Sequence, residues 1–539
     1  MHKNHITYIL LSVLSGLLLT ISFPFSGSLY PLAFIALVPL LLFQDNVLRT
    51  KTKSSLVFIF SLLSFLIYYV GTSYWLFFTL NERLKAVIAY ILFAGMMAMV
   101  FWVYHLARKY LPLRLGNLSF FILWISFEFG HYHWDLSWPG MNLGNILSTA
   151  PELIQWYSVT GVLGGSLWIL LINFMIFKII QALLIQKKGL KTQYNYIIFT
   201  IGALLLPSVL SIWMYSNYKE IGKSIEVVIT QPNIETYTDK STDDEDELIE
   251  LLSKVTIQAE ELMTPNTKVV LAPETVLSIP METDNYKNIK SFNFLQNHVN
   301  SWETVSLVAG AKTYKFFKQK LRNNMKFMES HNVYYEVYND LMVLTKNSPP
   351  TFVHKTKLFP GVEKFPFTNQ LPFLEEFAYN NKWFAGTLGT EPKVKSLRTK
   401  DFVFAPVICY ESVYGDFIAE QCRKRAEVIF IITNDSWWGN TAGHKQHKIA
   451  ARLRAIENRR YVARSANTGI SCIVNQRGDV VQETNYGEYE GLRGDIILNK
   501  EMTFYTRYGD FLGKIAIALL VLLNVFTIFK QFVFTTKKI

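Results

Sequence analysis

Residues 402–412 read FVFAPVICYES. An uncharged run of β-branched and aromatic residues of this length is the pattern of a buried strand, and this one ends at Cys409, with Tyr410 and Glu411 directly behind it. Two further apolar runs end in the same way. The first, KVVLA at 268–272, leads into Pro273 and Glu274; the second, VIFIIT at 428–433, leads into Asn434 and Asp435, with Trp437 two residues on. In open α/β sheets, ligands gather at the carboxyl ends of strands, so these polar residues are expected to meet on one rim. Taken singly they mean little. A cysteine closing a strand is usually a core thiol, and a glutamate such as Glu274 is usually a solvated loop carboxylate.

The texture around these runs extends the picture. Strands are expected at 225–230, 268–272, 305–310, 333–345, 402–408, 428–433 and 470–475, with helices over 243–263, 414–425 and 445–464. Strands alternating with helices predict a mixed α/β domain over 215–511. Segment 315–332, rich in Lys, Asn and Phe, shows no period and is expected to be a mobile loop.

Outside that domain the chain becomes strongly apolar, with half of all residues hydrophobic and 15% aromatic. Eight stretches approach the roughly 20 apolar residues that a helix needs to cross a bilayer. They lie near 6–23, 28–44, 55–78, 86–107, 116–131, 161–185, 195–214 and 512–534. The second contains Pro31 and Pro39 and the fifth contains Glu128, which makes these two the least suited to face lipid. Seven spans therefore fall within 1–214, and 512–539 supplies the eighth with a short tail. Lys and Arg cluster at alternate span ends: Lys3; Arg49, Lys51, Lys53; Arg108, Lys109, Arg114; Lys187, Lys188, Lys191; and Lys530, Lys537, Lys538. The opposite short loops carry only Arg83 and Lys85. Because basic loops stay in the cytoplasm, both termini are expected inside and residues 215–511 outside. The same clusters account for an excess in the net charge of +11, so no nucleic-acid partner is implied.

Catalysis by a thiol requires a base to form the thiolate and a donor to hold the oxyanion, and Glu274 and Lys355 are residue types suited to those tasks. At this point the sequence resembles the nitrilase-like carbon-nitrogen hydrolases and, within them, the membrane-bound apolipoprotein N-acyltransferases. The resemblance runs through LAPETV around Glu274, YND at Tyr338 to Asp340, HKTKLFPGVEKFP around Lys355 and Glu363, PVICYES around Cys409 and NDSWWG at 434–439. It implies an α+β membrane protein, in which an eight-helix transmembrane bundle carries an extracytoplasmic α-β-β-α sandwich. It also implies a catalytic triad of Glu274, Lys355 and Cys409. Glu363 would support the site as a second carboxylate, Tyr410 and Glu411 would flank the nucleophile, and Asn339 and Trp437 would line the pocket. The activity implied is transfer of an acyl chain from a phospholipid, through a Cys409 thioester, to the α-amine of a diacylated lipoprotein precursor. That requires no cofactor and no metal, and suits a monomer in the bacterial inner membrane. The chain departs from the commoner pattern at LFPGVEK after Lys355, at Pro232 after Gln231 and in the 315–332 segment.

Other readings stay open on sequence alone. A membrane-tethered amidase would use the same triad with water as acceptor, and a transporter or receptor would use the outer domain only to bind. His444 and His447 have helical spacing but lack a further ligand, so a surface or helix-start role is expected, as it is for His131 and His133. Arg452, Arg454, Arg459 and Arg460 are expected to form ion pairs on a helix, and Cys422 and Cys472 to be core thiols between which a bridge is conceivable.

Overall fold

The computed structural model describes residues 2–79, 83–234, 244–368, 370–374, 376 and 386–536. Lys537, Lys538 and the expected helix start at Asp243 lie outside the described residues. The chain divides into two compact units. One comprises Met1–His133, Trp138–Asn217 and Asp510–Ile539; the other comprises Trp134–Ser137 and Tyr218–Gly509.

In the first unit, seven helical segments among the described residues are long and apolar enough to cross a membrane: His5–Ser22, Tyr30–Thr50, Ser55–Ser73, Arg83–Tyr110, Val162–Ile185, Leu190–Asn217 and Phe511–Lys530. The second is broken. Pro31 opens a 3-10 turn, Tyr30–Phe34, and Pro39 sits in the first turn of helix Val38–Thr50, where a missing N–H costs nothing. The stretch expected as the fifth span is a helix, Leu113–Gly130, but it is not among the seven. It carries Arg114 at its start, and Glu128 is buried at its end. That carboxylate accepts from Trp124 Nε1 at 3.0 Å and from the Leu143 N–H at 2.9 Å, so protein groups take the place of the missing water.

The second unit contains two sheets. Among the described residues the first has eight strands: β1 (Lys223–Ile229), β2 (Thr267–Leu271), β3 (Leu277–Glu282), β4 (Ser306–Phe317), β5 (Lys326–Met328), β6 (Val333–Leu344), β7 (Thr351–His354) and β14 (Leu492–Leu498). They run in the order β14-β1-β2-β4-β6-β5, with β3 beside β4 and β7 beside β6. The second sheet has six, ordered β13-β12-β11-β10-β9-β8. These are β8 (Leu397–Arg398), β9 (Val403–Ile408), β10 (Val428–Thr433), β11 (Val462–Ala466), β12 (Cys472–Val474) and β13 (Val480–Glu483).

Strand periodicity explains how these sheets are covered, because successive side chains point to opposite faces. Val227, Ile229, Val269 and Leu271 of the first sheet share one core cluster with Phe404, Ile408, Phe430 and Ile432 of the second. The alternate residues Val228 and Val270 join a different cluster, with Leu252 and Val255 of helix Glu245–Leu262 and Leu295 of helix Lys290–Ser301. Burial on both faces accounts for the continuous apolar runs that mark β2, β9 and β10.

The second unit departs from expectation in several places. Segment 315–332 is a loop at its centre, 318–325, but carries strand on either side: β4 runs on to Phe317, which pairs with Tyr334 of β6, and β5 pairs with β6 on its other side. Its side chains are half exposed on both faces, which erases the burial period a strand normally shows. The helix expected to reach residue 464 stops at Asn458, with Arg459 at φ +51° as its left-handed cap, and β11 follows. Helix Lys290–Ser301 and strands β3, β5, β7, β8, β11, β13 and β14 were not anticipated. These strands are short or mix charge into their runs.

Candidate active site

Strand β2 stops at Leu271, and Glu274 lies on the turn beyond it. The turn bends sharply, because Thr275 takes φ +58°, a left-handed conformation that is costly for a β-branched residue. Gly310 on β4 lies directly against this turn. A Cβ there would stand 2.2 Å from the Thr275 nitrogen and 2.6 Å from the Glu274 Cα, so only glycine permits the approach. Lys355 follows β7 and is anchored by its own N–H, which donates to the Asn339 carbonyl of β6 at 2.8 Å. Cys409 follows β9 and opens a 3-10 turn, Cys409–Val413, with φ +51°. Two positions in the left-handed region thus border the chemistry-bearing turns.

The side chains meet in a small polar cluster. Lys355 Nζ, almost fully buried, lies 2.8 Å from Glu363 Oε1 and 3.3 Å from Glu274 Oε1. Asn339 Nδ2 donates to the same two oxygens, at 2.7 Å to Glu274 and 3.0 Å to Glu363. The second oxygen of each carboxylate is also held: Glu274 Oε2 by the Asn434 N–H at 3.0 Å, just past β10, and Glu363 Oε2 by the Phe359 N–H at 2.8 Å. Burial alone would drive the Lys355 ammonium toward its neutral form, but Glu274, Glu363 and the Cys409 side chain outweigh it and hold its pKa well above the ordinary value. Burial, together with the Glu274 and Glu363 carboxylates, pushes the Cys409 thiol well above its ordinary range, against the pull of Lys355 and a hydrogen bond with the Thr433 hydroxyl. These surroundings favour the protonated thiol, and the thiolate is the nucleophile, so a base beside it has a task.

Glu411 ties the two catalytic-type loops together. Its Oε1 accepts from the N–H groups of Thr356 and Lys357, at 2.6 and 3.1 Å, next to Lys355; its Oε2 accepts from Ile408 at 2.9 Å, next to Cys409. Burial pushes this carboxyl up to about 7, opposed by those three backbone donors and by Lys355. Tyr410 turns elsewhere. Its hydroxyl donates to the Ser137 carbonyl at 2.7 Å, and that of Tyr414 donates to Ser137 Oγ at 2.6 Å. Asp135, in the same four-residue segment, accepts from Lys364 Nζ at 3.1 Å and from the Phe367 N–H at 2.9 Å. Trp437 is 42% exposed, and it is the neighbouring Trp438 that is buried, its ring edge-on to His447.

Several residues of this region have partners that the sequence did not indicate. His447 is buried, not on the surface, and is bonded to Ser412, Asp435 and the Cys409 carbonyl. His444 is also buried at the helix start and stacks on Tyr486. A usable signal was present: Gly443, His444, His447, Ala450, Ala451 and Arg454 recur at helical spacing as one buried stripe. The arginines bond mostly to carbonyls. Arg454 pairs with Glu457, whereas Arg460 donates to Ala426, Asn458 and Glu501 oxygens and Arg459 to that of Gln476, and neither of these last two lies on the helix. All three cysteines are free, so no bridge joins Cys422 to Cys472. No group of three His, Cys, Asp or Glu side chains among the described residues is arranged to hold a metal.

Comparison with known families bears on the identity of the chain. The carbon-nitrogen hydrolase family matches residues 230–499, half of the chain, and the apolipoprotein N-acyltransferase N-terminal domain matches residues 15–175. The chain is similar to the apolipoprotein N-acyltransferase of Chlorobaculum tepidum, 26% identical over 94% of each chain. It is similar to that of Geobacter metallireducens, 26% identical over 93% of this chain and 91% of the other. Among solved structures, the nitrilase-superfamily protein Nit3 of Saccharomyces cerevisiae is 20% identical and overlaps 52% of this chain and 92% of its own, with a TM-score of 0.35. The chain belongs to the carbon-nitrogen hydrolase family and, with the second match preceding that domain, is an N-acyltransferase enzyme of the apolipoprotein N-acyltransferase branch.

Proposed function

We propose that this enzyme moves an acyl chain from a phospholipid to the α-amine of a lipoprotein's N-terminal diacylglyceryl-cysteine, with Cys409 carrying the chain as a thioester. The observation that carries the reading is the buried Lys355 ammonium, held between Glu274 and Glu363 and acting electrostatically on Cys409. Glu274 takes the thiol proton as sulfur attacks the ester carbonyl. Lys355 and the Tyr410 N–H stabilise the oxyanion, each supplying about 2.7–4 kcal/mol. The C–O bond breaks, the lysophospholipid leaves with the proton from Glu274, and the C–S thioester remains. The amine then attacks that thioester, a C–N bond replaces the C–S bond, and the thiol regains its proton. Glu363 and Asn339 hold Lys355 and Glu274 in place, and Glu411 fixes both loops.

The membrane helices give this chemistry its setting. Moving an acyl chain into water costs about 0.8 kcal/mol per CH₂, which a site at the bilayer surface avoids. In this reading Leu113–Gly130 completes eight spans, the two sheets and their helices form an α-β-β-α sandwich, and the catalytic unit lies on the periplasmic side of the bacterial inner membrane. Both termini are cytoplasmic, as the alternation of basic loops supports, and the protein acts as a monomer.

Intact mass measurement after incubation with a phospholipid of defined acyl chain tests the reading. The expected result is the mass of one acyl group, removed by hydroxylamine and absent from Cys409→Ala. Release of ammonia from small amides, with no lipid-derived mass on the protein, would replace this reading with the amidase one.

A further inference from the structure

One buried network reaches Cys409 through its backbone. His447, on helix Ala442–Asn458, places Nε2 3.1 Å from the Cys409 carbonyl oxygen and 3.0 Å from Ser412 Oγ. Its Nδ1 lies 3.0 Å from Asp435 Oδ1 and 3.1 Å from Arg464 Nη2, and that guanidinium is itself 2.7 Å from Asp435 Oδ2. Trp438 closes over the ring at 4.7 Å, edge to face. A carbonyl only accepts, so the contact with Cys409 calls for a proton on Nε2; Nδ1 faces both a carboxylate and a guanidinium and finds a partner with or without one.

The consequence lies in the peptide plane. The unit joining Cys409 to Tyr410 is planar and trans, so its N–H points opposite to its C=O. Anchoring the Cys409 oxygen fixes the rotation of that plane, and with it the direction of the Tyr410 N–H. Cys409 sits in the left-handed region, which a non-glycine residue keeps only when its surroundings hold it there. The geometry assigns His447 as the positioning residue that aims the Tyr410 N–H at the oxyanion, acting through the Cys409 carbonyl and backed by Asp435 and Arg464. This inference rests on the reading of Cys409 as the acylated nucleophile.

Two reactions of the same thiol separate this role from general support of the fold. Acylation from phospholipid passes through an oxyanion, whereas alkylation by iodoacetamide does not. In His447→Leu, the single-turnover rate of thioester formation is expected to fall by about 10²-fold, the loss that follows removal of one oxyanion donor. Cys409 alkylation should stay within a factor of about three, since thiol reactivity is set by the sulfur's own surroundings. Two amide variants guard against misfolding. His447→Gln reaches the position of Nε2 and should recover most of the rate, whereas His447→Asn reaches only that of Nδ1 and should not. Equal rates in the Gln and Asn variants would overturn the assignment, as would acylation and alkylation falling together in the Leu variant. Undiminished acylation by Cys409→Ala would instead remove the nucleophile reading and leave the His447 contact without a reaction to serve.

Discussion

Replacing Gly310 with alanine tests the site without altering any polar group. The added Cβ would stand 2.2 Å from the Thr275 nitrogen and 2.6 Å from the Glu274 Cα, where ordinary contact begins at 3.4 Å. Both atoms belong to backbone, so no side chain can swing aside. The strand and the turn must part by roughly 1 Å, and a misplacement of that size costs on the order of 10²-fold in rate. The stability cost of such overpacking is about 1–3 kcal/mol, small enough for the protein to remain folded. The assay is the rate of acyl-thioester formation from phospholipid, followed by intact mass, alongside the thermal midpoint in detergent. Glu274 is the group that moves, so thioester formation is expected to slow on the order of 10²-fold in protein that is still folded at the assay temperature. A Gly310→Ala protein that forms thioester at the wild-type rate would show that Glu274 is not positioned by this contact, or that its position does not matter to the reaction.

Other changes probe neighbouring parts of the cluster. Lys355→Met leaves Glu274 and Glu363 buried without their shared cation and is expected to destabilise the protein by about 3–5 kcal/mol while abolishing thioester formation; an unchanged thermal midpoint would argue against a structural role for the ion pair. Burial would raise the Asp435 carboxyl, but Arg464 and His447 prevail and hold it well below the ordinary carboxylate range. Its folded-state pKa is thus depressed, so the stability it contributes is complete above about pH 4 and is lost as the pH falls through the depressed value. Asp435→Asn should lower the thermal midpoint at neutral pH and flatten its decline on the acid side, and an acid limb parallel to wild type would contradict the pairing. Tyr410→Phe removes the hydroxyl that donates to the Ser137 carbonyl and should cost about 1 kcal/mol, read as a small drop in midpoint with thioester formation retained.

Much of this arrangement was legible in the sequence, because the runs before Glu274, Cys409 and Asn434 are apolar on both faces and end abruptly in polar residues. Their convergence followed from the rule about strand ends, and the structure adds the bond from the Asn434 N–H to Glu274. Less could be read where the burial pattern is mixed. The strand pieces at Lys315–Phe317 and Lys326–Met328 expose part of both faces, so their alternation carried no signal. His447, expected at the surface or helix start, was misplaced for the opposite reason: a polar residue on a basic helix reads as solvated until its partners, Asp435, Ser412 and the Cys409 carbonyl, arrive from elsewhere in the chain. The break around Pro31 and Pro39 was foreshadowed by the prolines, and the standing of Leu113–Gly130 by Glu128, although the rest of that helix reads as a span.

The assignment of Trp134–Ser137 to the second unit means that this unit is not a continuous piece of polypeptide. A fragment excised at Tyr218 and Gly509 would keep both sheets yet lose the acceptors for the hydroxyls of Tyr410 and Tyr414, for the ammonium of Lys364 and for the amide of Phe367. Two of those groups lie within five residues after Cys409 and two within four residues after Glu363. Expression of the hydrolase-like portion alone would therefore yield a protein that keeps both cores but lacks four hydrogen bonds close to Cys409 and Glu363. Supplying the missing tetrapeptide in trans, or grafting it by circular permutation, is the route by which such a fragment would be made whole.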